Sequence, residues 1–168
     1  PAVLRQHPDT VLLIVGAGPL ASRLQAQAAP LGASVVFTGR VPYDELPAYT
    51  AVGDIAALPA RSRLGGLDVE GLGIVLLEAA AMGLPTIAAD TGGVPDALVP
   101  GTTGLLLPAV ADERGQVAAL AEAIVTLLDD DGLRARLGQQ GRHWVEQQWS
   151  WDVPARTLAS LLARDSAV

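Results

Sequence analysis

The chain alternates short, continuous apolar runs with longer stretches of helical periodicity, and that alternation restricts it to few architectures. Val11-Leu-Leu-Ile-Val15 is the first run, followed at once by Gly16-Ala-Gly18. This is the pattern of a strand buried on both faces and then a tight turn. Residues 19–31 place Leu20, Leu24 and Ala28 at helical intervals and stop at Gly32. The same criteria predict strands over 35–37, 54–58, 85–89 and 103–107, with helices over 44–52 and 70–82 between them. Asp44 is the expected N-cap of the first of these helices. Beyond Pro108 the expectation is helix alone, over 113–129, 131–148 and 151–164, the last capped by Ser150. Repeated strand–helix–strand units with short connections imply an α/β fold with a doubly wound parallel sheet and C-terminal helices. Ligands of such sheets bind at the carboxyl ends of the strands, in the loops that lead into the helices.

Composition removes whole classes of chemistry. Cys is absent, which excludes disulfides, thiolate metal sites and Cys nucleophiles. The two His, His7 and His143, are too few and too far apart for a His-rich zinc site. All 11 basic residues are Arg, so neither Schiff-base chemistry nor a Walker-type lysine is available. A net charge of −7 argues against general nucleic-acid binding, which needs clustered cations. No apolar run approaches the roughly 18 residues of a membrane span. The opening residues lack the layout of a signal peptide.

Two loops could carry a site. Gly16-Ala-Gly-Pro-Leu-Ala21 fits the G-x-G-x-x-A dinucleotide fingerprint after a strand. Such a site wants an acidic residue at the end of the next strand to hold the ribose, and that strand ends instead in Thr38-Gly39-Arg40. Arg40 would suit a 2′-phosphate, so a Rossmann-type FAD or NADP oxidoreductase stays an alternative, beside a plain tight turn. The second candidate is Glu70-Gly-Leu-Gly-Ile-Val-Leu-Leu-Glu78. A helix beginning near Gly73 leaves Glu70 in the approach loop and puts Glu78 one to two turns inside, about 7 Å or more along the axis. Unpaired first-turn amides and the helix dipole between them suit a diphosphate, and Gly71 and Gly73 admit a ligand close to bare backbone. Glu70 would accept hydrogen bonds from sugar hydroxyls and Glu78 from ribose hydroxyls. The same spacing also suits a Glu70 that merely complements the helix N-terminus and a Glu78 in solvent. It does not suit a glycosidase pair, because nothing puts the two acids on facing surfaces. Arg61 and Arg63 make the Gly-rich loop before Glu70 flexible and cationic. Trp149 and Trp151 read as packing anchors, Ile124, Leu127 and Leu128 as core, and His143 as an ordinary helix residue.

The run from Gly65 to Ala79, with Met82-Gly-Leu-Pro85 and Thr91-Gly-Gly-Val-Pro-Asp96, resembles the donor-binding half of retaining GT-B glycosyltransferases of family 4, which carry an E-x7-E motif. With Pro59-Ala-Arg-Ser-Arg63, the string resembles the actinobacterial GDP-mannose-dependent phosphatidylinositol mannoside mannosyltransferases within that family. Residues 13–19, 36–41 and 149–152 support it, so the likeness spans about residues 9 to 160. It implies a Rossmann-like donor domain and a nucleotide-sugar donor such as GDP-mannose, with no other cofactor and no metal. By this resemblance Glu70 is the catalytic-site acid, binding hydroxyls of the donor sugar. The amides of Gly71, Leu72, Gly73, Ile74 and Val75 serve sugar and diphosphate, and Glu78 holds the ribose. Backbone around Arg40 and Val41 meets the base, Gly16 and Gly18 border the cleft, and Arg61 and Arg63 contact phosphate or acceptor or else line a solvated loop.

The resemblance also implies a lipid-linked sugar or inositol acceptor, no nucleic-acid partner and no transmembrane segment. The matching location is the cytoplasm, or the inner face of the membrane as a peripheral protein. Family members have an N-terminal acceptor domain carrying a catalytic His, and a first donor-domain strand followed by an Arg and a Lys. The expectation is that residues 1–168 form one nucleotide-sugar-binding domain lacking both, with an open sheet edge and no complete active site. A non-catalytic interaction domain is the remaining alternative.

Overall fold

A computed structural model of the chain describes residues 1–61, 69–108 and 112–165, apart from the side chains of residues 164 and 165. Among the described residues five strands form: β1 (Leu12–Val15), β2 (Val35–Gly39), β3 (Ala56–Leu58), β4 (Thr86–Ala89) and β5 (Gly104–Leu107). The pairings between these strands are parallel, as the alternation of apolar runs and helices requires. The strands group into two sheets, β1-β2 and β3-β4-β5. In the first, Leu12 faces Val35 and Ile14 faces Phe37, and the register then slips so that Val15 faces Gly39.

The helices are α1 (Ala21–Ala28), α2 (Leu46–Ala51), α3 (Ile74–Ala81), α4 (Glu113–Asp129), α5 (Asp131–Gln148) and α6 (Asp152–Asp165). Several are shorter than their periodicity predicts, for local reasons. After α1 the chain continues as a tighter 3-10 stretch from Ala29 to Ser34, where Pro30 has no amide to donate and Gly32 turns to φ 55°. Asp44 is not an N-cap: it lies within a 3-10 turn, Tyr43–Glu45, and α2 starts after it with a proline in its first turn. By contrast α4 and α5 have the predicted bounds. Asp112 caps α4 through the Gly115 amide at 2.7 Å, and Asp130 caps α5 through the Leu133 amide at 2.8 Å. Arg134 Nη1 then donates to the carbonyls of Leu127 and Leu128, closing the exposed end of α4.

The core lies around β4, whose four residues are all buried. Side chains alternate across a strand, so Ala88 joins Leu76, Leu77, Val94, Ala97 and Leu98 on one face, while Ile87 joins Leu107, Leu127 and Leu137 on the other. Ile124 packs against the second cluster, as its helical spacing with Leu127 requires. Helix α5 comes against the α3–β4 turn backbone to backbone. A Cβ on Gly138 would overlap the carbonyl oxygen of Gly83.

Two expectations about burial fail. Strand β1 is not buried on both faces, for Val11 is 58% and Leu12 55% exposed. Among the described residues β1 pairs with β2 alone, so one edge and much of its surface have no covering layer. Trp151 is 88% exposed and anchors nothing, because α6 begins one residue after it. Trp149 is only partly covered, 37% exposed, and meets Trp144 edge to face at a centroid distance of 5.9 Å. His143 is an exposed residue of α5.

Candidate functional site

Helix α3 starts beside the carboxyl end of β3, where Leu58, the last residue of that strand, packs against Gly73. Gly73 is the N-cap and has left-handed dihedrals, φ 77° and ψ 50°. A Cβ there would stand 2.9 Å from Leu58 Cδ2, so both the backbone conformation and the space favour glycine. This turn ends the predicted 70–82 helix early on its N-terminal side and leaves Glu70 in the approach loop.

Four amides open an α-helix without an acceptor in the preceding turn. Here Gly73 donates to Glu70 Oε1 at 3.2 Å, and Leu76 donates to the Gly73 carbonyl at 2.9 Å. Among the described residues the amides of Ile74 and Val75 have no acceptor, and the two residues are 61% and 55% exposed. Glu78 is exposed one turn further on, in the same helical row as Ile74 and Met82. The arrangement is a helix N-terminus with one carboxylate before it and another on its open face. It can receive an anion on bare amides and hydroxyl groups on either acid. Glu70 also makes the helix-capping contact that the spacing allowed, so its Oε1 serves both the fold and any ligand it meets.

The predicted residues fall into two groups, one per sheet. Glu70, Gly71, Leu72, Gly73, Ile74, Val75 and Glu78 form the first, beyond β3. Gly16, Gly18, Arg40 and Val41 form the second, at the carboxyl ends of β1 and β2. There Gly16 (φ 121°) donates its amide hydrogen to the Gly39 carbonyl at 2.9 Å, and Arg40, directly after, is exposed. Arg61 is paired with Glu113 of α4, Nη1 to Oε2 at 3.0 Å, on an exposed surface. Arg63 lies outside the described residues.

A contact that the sequence reading did not assign completes the first group. The loop after β4 runs beneath residues 70–71, with Gly93 donating to the Glu70 carbonyl at 3.1 Å. The adjacent glycines Gly92 and Gly93 were its only sequence signal. A separate apolar groove of about 430 Å³ lies between the end of α5 and α6, lined by residues including Trp149, Val153, Leu158 and Leu161.

Against known proteins, the chain is 44% identical over 165 residues to the GDP-mannose-dependent alpha-(1-6)-phosphatidylinositol monomannoside mannosyltransferase of Mycolicibacterium smegmatis. That match covers 97% of this chain and 42% of the relative. Among solved structures, sucrose-phosphate synthase from Thermosynechococcus elongatus superposes with a TM-score of 0.78 at 30% identity, over 99% of this chain and 41% of that one. The C-terminal domain of a glycosyl transferase group 1 family protein from Francisella tularensis gives 0.72 at 25% identity, over 89% of this chain and 74% of that one. The chain thus spans about two fifths of the length of the curated relatives it matches. These likenesses do not favour the oxidoreductase alternative, and Gly16–Ala21 is left as a βα turn of a Rossmann-like, GT-B-type fold. Residues 1–144 match the family model described as glycosyl transferases group 1, and the chain belongs to that family.

Proposed function

We propose that the chain is the donor-binding part of a nucleotide-sugar glycosyltransferase, with GDP-mannose as donor. The observation that carries this reading is the pair of first-turn amides at Ile74 and Val75, without an acceptor among the described residues and flanked by Glu70 and Glu78. The diphosphate sits on the amides and the positive end of the α3 dipole. Glu70 accepts from hydroxyls of the donor sugar and Glu78 from those of the ribose. Backbone around Arg40 and Val41 meets the base, with Gly16 and Gly18 at the cleft wall. The choice of GDP-mannose is supported by relatives at 44% identity whose names are GDP-mannose-dependent mannosyltransferases.

In this reading the acceptor is a lipid-linked sugar or inositol, met at a membrane surface by a peripheral enzyme and held by a second domain. Among the described residues no helix is long and apolar enough to cross a membrane. Transfer retains configuration: the acceptor oxygen bonds to the anomeric carbon on the face from which the phosphate oxygen departs, and that phosphate takes the acceptor proton. This chain's contribution is to stabilise the charge growing on the departing diphosphate with the fixed first-turn amides of α3, without a metal.

Titration calorimetry tests the reading. The folded protein should bind GDP and GDP-mannose, and Glu78→Ala should weaken both by about 10- to 100-fold, as loss of hydrogen bonds to a charged group predicts. A folded sample that gives no heat with any nucleoside diphosphate overturns it.

A further inference from the structure

The Gly92-Gly93 pair after β4 has no assigned role in holding the donor, yet it touches the loop on which the proposed site depends. Gly93 donates its amide hydrogen to the Glu70 carbonyl at 3.1 Å. A Cβ on Gly93 would overlap the carbonyl oxygen of Gly71, and one on Gly92 would overlap that of Glu70. Gly92 has φ +56°, where a side chain is strained wherever it points. Gly93 differs, for its φ of −91° and ψ of 5° are open to L residues. What excludes a side chain at Gly93 is therefore the neighbouring loop and not its own backbone.

Residues 70–73 rest on a floor of bare main chain. Glu70 is held twice, its carbonyl by the Gly93 amide and its carboxylate by the Gly73 amide at 3.2 Å. The amides of Ile74 and Val75 follow directly from that fixed point. Any group inserted at Gly93 must lift the loop, and it would carry the carboxylate and the helix start with it.

We propose that Gly93 is a positioning residue of the donor site, setting Glu70 and the first-turn amides of α3 through contact with the 70–71 backbone. Its functional half rests on the donor-binding reading; its structural half does not. Lifting a ligand-binding loop by about an ångström is enough to weaken a site severalfold to a hundredfold.

The test compares Gly93→Ala with Gly138→Ala in the 168-residue chain, using amide hydrogen exchange by NMR and calorimetric titration with GDP-mannose. Gly138→Ala makes a similar backbone overlap, with Gly83, away from the loop, and reports the general cost of such an insertion. Gly93→Ala should speed exchange at the Gly73 amide by about tenfold and weaken GDP-mannose by about tenfold or more relative to Gly138→Ala. Equal Gly73 exchange in the two variants overturns the proposal. Should Gly93→Ala not fold, Glu70→Ala decides: the two bonds to Glu70 act together, so losing the carboxylate should also speed exchange at the Gly93 amide, and unchanged exchange there overturns it. A wild-type protein that binds no GDP-mannose would sink the donor reading, while the exchange data would still settle the role of Gly93.

Discussion

Glu70 Oε1 accepts the amide hydrogen of Gly73 at 3.2 Å, so the acid before α3 is part of the helix start and not a free side chain in the loop. A ligand hydroxyl that binds this carboxylate therefore meets a group already oriented by the backbone, and little freedom is lost on binding. The same bond ties the loop's stability to the site.

Gly73→Ala should cost about 1–3 kcal/mol, because alanine would have to occupy the left-handed region and press on Leu58 Cδ2. Urea unfolding with an unchanged m-value and a lowered midpoint is the expected outcome. Wild-type stability would mean that the αL turn is not fixed in solution.

Glu78→Ala should leave stability within about 0.5 kcal/mol of wild type, since the side chain is exposed on α3. Its effect should appear in nucleotide affinity alone. A clear fall in melting temperature would assign Glu78 to the fold instead.

Leu127→Ala and Leu137→Ala should each destabilise by about 2–5 kcal/mol, because both side chains are fully buried against Ile87 and Leu107. As neighbours in one cluster they should not be additive, which a double-mutant cycle in urea would register.

Asp130→Ala should cost about 1 kcal/mol by freeing the Leu133 amide at the start of α5. Arg61→Ala should cost under about 1 kcal/mol, because its pair with Glu113 is exposed on both sides. Thermal melts of the two variants side by side check both values, and a larger loss in Arg61→Ala would contradict the surface placement.

What could be read from the sequence was local. Runs such as 85–89 and 103–107 and the turn residues around them announced parallel strands, and the start of α3 followed from Gly71 and Gly73. Helices over 113–129 and 131–148 were legible because their apolar spacing is interrupted only where Asp130 caps the next helix. The contact of Gly93 with Glu70 was not legible, since the partners lie far apart in sequence and meet through backbone atoms that carry no residue code. Exposure of Leu12 was also hidden. An apolar run states that a strand prefers burial, not that the described chain supplies the second neighbour. Trp151 misleads in the same way, because size and apolarity predict packing while the residue is 88% exposed just before α6.

Amide chemical-shift mapping during titration with GDP-mannose bears most directly on the donor site. Saturable shifts should concentrate at residues 70–78, with a second set around Gly16, Gly18, Arg40 and Val41. Saturable binding that leaves residues 70–78 unmoved, or that maps instead to the apolar groove beside Trp149, would contradict the proposed donor site.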